Sequence, residues 1–480
     1  MYLFDFIHDE SPLISEALRQ LIDEQRLRAG EMAIVTMGRR WKDFYYEFKQ
    51  SSMTEFFSDL DKQKLNIDEE LRRIAREYDT TNLFTVDRLM IKKPRALQRK
   101  TLVYTFLFYE HLFKARTVSH YFTTGIAYMY NLVSYQVAHR YAVRHISFYD
   151  IRYPGEKRTT LSLGVKNRFD LVYKKYQDFS ADLVTEAMRA RLENFRQKPA
   201  QPTYMKNLIN KQTINAILIK EFFIRFRKYY FERNNRYDYF SRSPFSLSYD
   251  KLRKLVLAKL ILALSSRIFE KNQSDRDDYF LFPIHMVPEA STLVLAKHYT
   301  NQLETIINVA KTLPADVYLY VKEHKSALGD RSLKFYRELK KIPNIKLISH
   351  TENTFDLINK ARGIITLSST VGWEALFFRK PVFVLGNVFY NDAGLTLKID
   401  SFIQLELLIQ SLMEDKLVYM THDFDDRLAY FLDCMLQNSY PFEFNVYKLD
   451  ITSTLLEKNN VEKCADFIHL TLTNDITEAK

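Results

Sequence analysis

The chain has 480 residues, 46% of them hydrophobic and 27% charged, with a formal net charge of +11. A chain of this length holds two domains of ordinary size, and its apolar content is ample for two cores, which excludes disordered and fibrous classes. No apolar run approaches the roughly 20 residues that span a bilayer, and the opening MYLFDFIHDESPL lacks a basic leader with a cleavage site, so a cytosolic protein is expected.

Residues 1–29 predict helix after the first few positions, and EMAIVTMG, from Glu31 to Gly38, predicts the first strand. Residues 50–110 are charged and helical in pattern. The segment VSHYFTTGIAYMYNLVSYQVAHRYAVRHISFYDIRYPG then reads as strand, turn at Gly125, long helix and strand, ending at Arg152, a βαβ pattern. Residues 165–275 are helical and basic, and SDRDD at 274–278 marks a boundary. A second α/β unit opens at YFLFPIH. Its later apolar runs VYLYV, IKLI, GIITL and PVFVL are short, β-branched and nearly continuous, as in strands buried on both faces of a parallel sheet. Strands alternating with helices at this spacing predict a doubly wound sheet. From Asp400 the pattern is helical.

The surplus of positive charge concentrates between Gln201 and Leu260, where 13 Lys and Arg face 4 Asp and Glu, interleaved with aromatics. Two readings stand: a platform for an anionic membrane surface, or a helix packed on the protein with a solvated basic face. No nucleic-acid module accompanies the stretch, so nucleic acid is not an expected partner. Cys434 and Cys464 lie outside any metal or redox spacing and read as free thiols. The acidic pairs Asp59–Asp61 and Asp275–Asp277 sit in highly charged sequence and read as solvated faces, so no metal site is predicted. The phosphate loop, dinucleotide fingerprint, zinc-protease helix and nucleophile elbow are all missing, which removes the usual support for kinases, dehydrogenases, zinc proteases and serine hydrolases.

The chemistry concentrates in the second unit. After GIITL the chain turns through Ser368, Ser369 and Thr370 and past Gly372 into a helix, which collects hydroxyls and free amides where anions bind. His324, with Lys322 nearby, follows VYLYV and supplies further donors for a phosphate. Gly372 would let backbone approach a ligand closely. Glu374 either accepts from ribose hydroxyls or favours the helix dipole in a first turn. His285 and Glu289, in FPIHMVPEA, are placed at a cleft, as are Gly125 and Arg152 of the first unit. Tyr390 and Asn387 end a strand and are read as packing or capping residues. Two α/β units joined by a helical segment suggest a cleft that closes over a nucleotide sugar.

The runs FPIHMVPEASTLVLAKHYTNQ, LPADVYLYVKEHKSALGDRSLKFYRELKKIPNIKLIS and TLSSTVGWEALFFRKPVFVLGNVFY resemble the bacterial capsule-polysaccharide biosynthesis family that includes β-Kdo transferases. The resemblance is clearest over residues 279–395, and TGIAYMY, VAHRY and IRYPG match the N-terminal part more weakly. It implies two Rossmann-like domains in a GT-B arrangement, with a basic helical segment between them and a helical C-terminus. The domains expected are 1–165 on the acceptor side, 166–275 as a helical linker, 276–400 as the nucleotide-sugar domain and 401–480 as C-terminal helices. It further implies a glycosyltransferase of surface polysaccharide that takes a sugar, such as Kdo from CMP-Kdo, to a glycan or lipid-linked acceptor; a place at the inner face of the membrane is suggested by the basic stretch 201–260, not by the resemblance. No cofactor beyond the nucleotide-sugar donor is implied. The sequence departs from the family at Lys325, where Pro is usual, and at Ser368 or Ser369, where a Gly is common. The general base is expected in the first domain, among Asp150, Glu156 and His120, which spacing does not separate. An epimerase of the same architecture and a catalytically silent assembly protein remain as rivals.

Overall fold

The computed structural model describes residues 1–7, 11–37, 42–46, 48–81, 83–115, 117–165, 168–199, 223, 226–227, 230, 243–270, 277–417, 419, 421–444 and 455–473. The expectation for the basic stretch therefore falls largely outside the described residues, as does Asp275. The chain divides into two units, one built chiefly from Met1–Lys174 and Met435–Lys480, the other chiefly from Phe245–Cys434 together with the segment that begins at Lys175.

The first unit carries a six-stranded sheet of β1 (Tyr2–Asp5), β2 (Met32–Thr36), β3 (Lys49–Ser52), β4 (His120–Thr124), β5 (Arg144–Asp150) and β6 (Thr159–Ser162), in the order β3-β2-β1-β4-β5-β6. All pairs are parallel except β5 with β6. Phe4, Ile34, Phe122, Ile146 and Phe148 pack with Leu13 and Leu18 of the helix Ser11–Asp23. The same core takes in Cys464, Phe467 and Ile468 from the helix Lys458–Thr473.

The second unit carries β7 (Tyr279–Pro283), β8 (Tyr318–Lys322), β9 (Ile345–Ile348), β10 (Gly363–Thr366), β11 (Val382–Val384) and β12 (Leu397–Lys398), in the order β12-β11-β10-β7-β8-β9. Every pair is parallel. Phe280, Phe282, Leu319, Val321, Ile365 and Phe383 are fully buried or nearly so, which is why these strands read as continuous apolar runs. In each unit the chain builds three strands outward, then returns beside the first strand and builds the other way. The order reverses between β1 and β4, and again between β7 and β10, which opens a crevice at the strand C-termini.

Both units are doubly wound α/β, as expected, but the boundaries differ. The C-terminal segment is not one helical block: Phe402–Met413 and most of Phe424–Gln437 belong to the second unit, while Lys458–Thr473 completes the core of the first. The described helices of the region 166–275 do not form a separate linker either. Its helix Glu186–Gln197 is pinned to the second unit by Arg189 to Asp426, Arg191 to Asp433 and Arg196 to Asp425. Its helix Pro244–Ala263 buries Ala258 and Ile261 in the second core. Four strands went unread: β1 is four residues at the chain start, β12 is two residues, and β3 (KQSS) and β6 (TTLS) lack the apolar signature because they lie at sheet edges.

Candidate functional site

The C-terminal ends of β7, β8 and β10 lie side by side in the second sheet, with Pro283 opposite Lys322 and Ile364 opposite Leu281. Three loops leave from there. The loop after β8 is fixed by Glu323, a buried carboxylate at the strand end. One of its oxygens accepts from the His324 amide at 2.7 Å and from Arg331 Nη1 at 2.9 Å, and the other accepts from Tyr336. Arg331 also donates to the His285 carbonyl, joining this loop to the end of β7. Gly329 has φ +88°, and a Cβ there would stand 2.2 Å from the Lys254 carbonyl, so only glycine closes this turn against the helix Pro244–Ala263.

His324 caps the short turn Lys325–Ala327, its Nδ1 accepting from the Ser326 amide at 3.2 Å. Burial, with Arg331 and Lys322 nearby, lowers its pKa to about 4, so the ring is neutral and carries its proton on Nε2. That N–H is the group that the expected phosphate contact would need. His285 has a different task. Its Nε2 accepts from the Ser368 amide at 3.1 Å, and its backbone exchanges two hydrogen bonds with the Gln302 side chain. Burial holds its pKa down at about 3, so it remains a neutral acceptor that latches β7 to β10.

Ser368, Ser369 and Thr370 divide their labour. Ser368 donates its hydroxyl to the Ser291 carbonyl at 2.7 Å, so both its donors are spent inside the protein. The Ser369 amide donates to Thr366 Oγ1, and its hydroxyl oxygen caps the helix Thr370–Phe377 by accepting from the Val371 amide at 3.0 Å. The amide and hydroxyl of Thr370 make no hydrogen bond among the described residues. Gly372 serves packing rather than ligand approach: a Cβ would lie 2.4 Å from the Tyr390 hydroxyl, which itself donates to the Ser369 carbonyl at 2.6 Å. Glu289 caps the turn Ala290–Leu293 from a position where its carboxylate accepts from Ser291 at 2.8 Å.

Lys322 and Glu374 form the electrostatic centre. Lys322 is 8% exposed, and neither side chain makes a hydrogen bond or ion pair among the described residues. Desolvation lowers Lys322 to about 8 and raises Glu374 to about 8, while each opposes the other's shift. Glu374 stands in the second turn of its helix, one turn later than expected, so the helix dipole does little for it. His350, just beyond β9, faces the same group: burial and then Lys322 lower its pKa, and its Nδ1 is buried with no partner among the described residues. Glu323, Arg331 and His350 are neighbours of these groups that the sequence reading missed. The run KEHKSALGDR holds the first two at fixed spacing around a glycine, a signal for a braced loop.

The remaining predicted residues belong to the first unit. Gly125 follows β4, where a Cβ would meet the Tyr149 ring at 2.8 Å. Arg152, at φ +56°, turns back to pair with Asp150 at 2.9 Å. Glu156 is ion-paired with Arg158 at 3.0 Å. His120 begins β4 and so lies at the opposite sheet edge from the crevice, which removes it as a candidate base. Asp5, unnoticed in the sequence, ends β1 fully buried and accepts from Thr123 and from the Ile7 amide. A cavity of about 490 Å³ in this unit is lined by Glu70, Glu77 and Glu110, all three ion-paired with Arg73 beside them. The acids once weighed as metal ligands are likewise paired, Asp59 with Lys62, Asp61 with Lys100 and Asp277 with Lys346.

Residues 197–406 match the family model described as capsule polysaccharide biosynthesis protein. Protein FixF of Sinorhizobium fredii is 31% identical over 127 residues, which are 25% of this chain and 29% of FixF. The capsule polysaccharide export protein KpsS of Escherichia coli is 31% identical over 107 residues, 21% of this chain and 26% of KpsS. The chain thus matches less than a third of the length of either relative. Among solved structures, Thermosulfurimonas dismutans KpsC, beta Kdo 2,7 transferase, aligns over 80% of this chain and 98% of its own, at 14% identity and a TM-score of 0.34. The segment that matches the family model contains β7 to β12 and all the residues gathered at their C-terminal edge.

Proposed function

We propose that the protein is a glycosyltransferase of surface polysaccharide biosynthesis that binds a nucleotide-sugar donor at the C-terminal edge of β7, β8 and β10. The observation that carries this reading is the set of donors the fold leaves unspent. His324 Nε2–H, the Thr370 amide and hydroxyl and the Lys322 ammonium stand at the switch point of a doubly wound sheet, where phosphates bind. A buried lysine and a half-buried carboxylate, both displaced toward neutrality and neither bonded among the described residues, support a site for a charged ligand. In the transfer the acceptor hydroxyl attacks the anomeric carbon and the bond from that carbon to the phosphate oxygen breaks. The nucleotide leaves with the bonding electrons, and the hydroxyl proton passes to a base. Preorganised donors on the departing phosphate lower the barrier because they strengthen as its negative charge grows. To Glu374 this reading gives the task of accepting from ribose hydroxyls. The donor we favour is CMP-linked, Kdo above all, and the acceptor a glycan or glycolipid met at the inner face of the membrane.

The test is to incubate the protein with CMP-Kdo and a capsular glycolipid acceptor, and separately with UDP-sugars alone. Acceptor-dependent release of CMP supports the reading. Interconversion of a UDP-sugar without acceptor makes the protein an epimerase, and binding of neither nucleotide leaves only an assembly role.

A further inference from the structure

The helix Pro244–Ala263 has two faces with different duties. Ala258 and Ile261 are buried in the second core, and Lys254 donates to the Ser326 carbonyl at 2.9 Å and pairs with Asp330 in the loop that carries His324. The opposite face is apolar and open to solvent: Tyr249 is 68% exposed, Leu252 54%, Val256 49% and Leu260 44%. Steps of three, four and four residues put these side chains in one stripe about 17 Å long. At about 100° per residue, the exposed Arg253 and Lys259 fall within about 70° of the stripe's centre, one on each border.

We infer that this face is an interfacial docking surface for an anionic lipid bilayer. The inference takes up the peripheral-membrane part of the function proposed above, but its test needs neither donor nor acceptor. An apolar stripe bordered by cations is the pattern of a helix lying in the headgroup plane, with long basic side chains reaching up to the phosphates. No helix among the described residues is long and apolar enough to cross the membrane, so the stripe lies in the interface rather than across it. Charge decides between a bilayer and a second copy of the chain. The helix carries four Lys and Arg against one Asp, so two copies meeting face to face would set like charges together, whereas anionic headgroups complement them. Because Lys254 ties the back of this helix to the His324 loop, the surface would hold the donor site beside lipid-linked acceptors.

Sedimentation of the full chain with phosphatidylglycerol and phosphatidylcholine vesicles, at low and high salt, tests the inference. The chain should pellet with the anionic vesicles, less so at high salt, and little with the neutral ones. The double substitution Leu252→Glu and Val256→Glu, on solvent-facing positions that the core does not need, should cut the bound fraction at least tenfold. Arg253→Glu with Lys259→Glu should do the same, with the thermal melt of both variants unchanged. In Val256→Trp, emission should shift to the blue on adding anionic vesicles. Recovery in the supernatant with every vesicle overturns the inference, as does pelleting that the substitutions leave unaltered. Concentration-dependent dimerisation abolished by the same changes, without vesicle binding, would give the face to a second copy instead.

Discussion

Asp5 ends β1 with no exposure to solvent, and desolvation raises its pKa to about 7 despite the hydrogen bonds from Thr123 and Ile7. Below the unfolded value near 3.8 the carboxyl is protonated in both states, and the fold keeps its full stability. As pH rises toward 7 the unfolded chain ionises while the folded chain does not, so stability is lost, by at most about 4 kcal/mol. Asp5→Asn should abolish that loss: thermal melts at pH 5 and pH 8 should differ less for the variant than for the parent, and an unchanged difference would show that Asp5 ionises freely. The residue could not be found from sequence, because a lone Asp at the end of a four-residue strand looks like any surface acid. His324 was legible because strand, histidine and glycine turn stand together in KEHKSALGDR, whereas the spending of Ser368 on Ser291 depends on a contact 77 positions away.

The helix Thr370–Phe377 owes its seat to the absence of one carbon. Gly372 lies against the Tyr390 hydroxyl, Thr366 Cγ2 and Val382 Cγ1. Gly372→Ala should force the helix away from β10 and β11, cost about 1–3 kcal/mol and displace Thr370 from the site. Adding Tyr390→Phe removes the atom of closest clash, so the double variant should recover part of the stability in chemical denaturation. Equal loss in single and double variants would place the strain elsewhere. Element type was readable wherever burial on both faces gave apolar runs, as in β7 to β11. Edge strands such as β3 and β6 were not, since an exposed edge needs pairing rather than hydrophobicity.

The return of the chain to its first unit was hidden from the sequence altogether. The helix Lys458–Thr473 is amphipathic like many others, and nothing in its pattern says that Cys464, Phe467 and Ile468 fill a core begun at Phe4. Each buried apolar side chain of this size contributes about 1.5–3 kcal/mol, so deleting residues 458–480 should unfold the first unit. Hydrogen exchange should then show β1, β2, β4 and β5 losing protection while β7 to β11 keep theirs; retained protection throughout would contradict this packing. The doubly wound sheet of the second unit, by contrast, was predictable from alternating periodicities, while in the first unit only a βαβ pattern was, and the crevice follows from the observed strand order. That crevice carries the central claim, which titration calorimetry with CMP tests most directly. The parent chain should bind CMP, and His324→Ala, which removes one hydrogen bond to a charged phosphate worth about 1.5–3 kcal/mol, should weaken binding about tenfold or more while the fold stays intact. No heat from either CMP or UDP at millimolar concentration, or equal affinity in the folded variant, would contradict the assignment of the site.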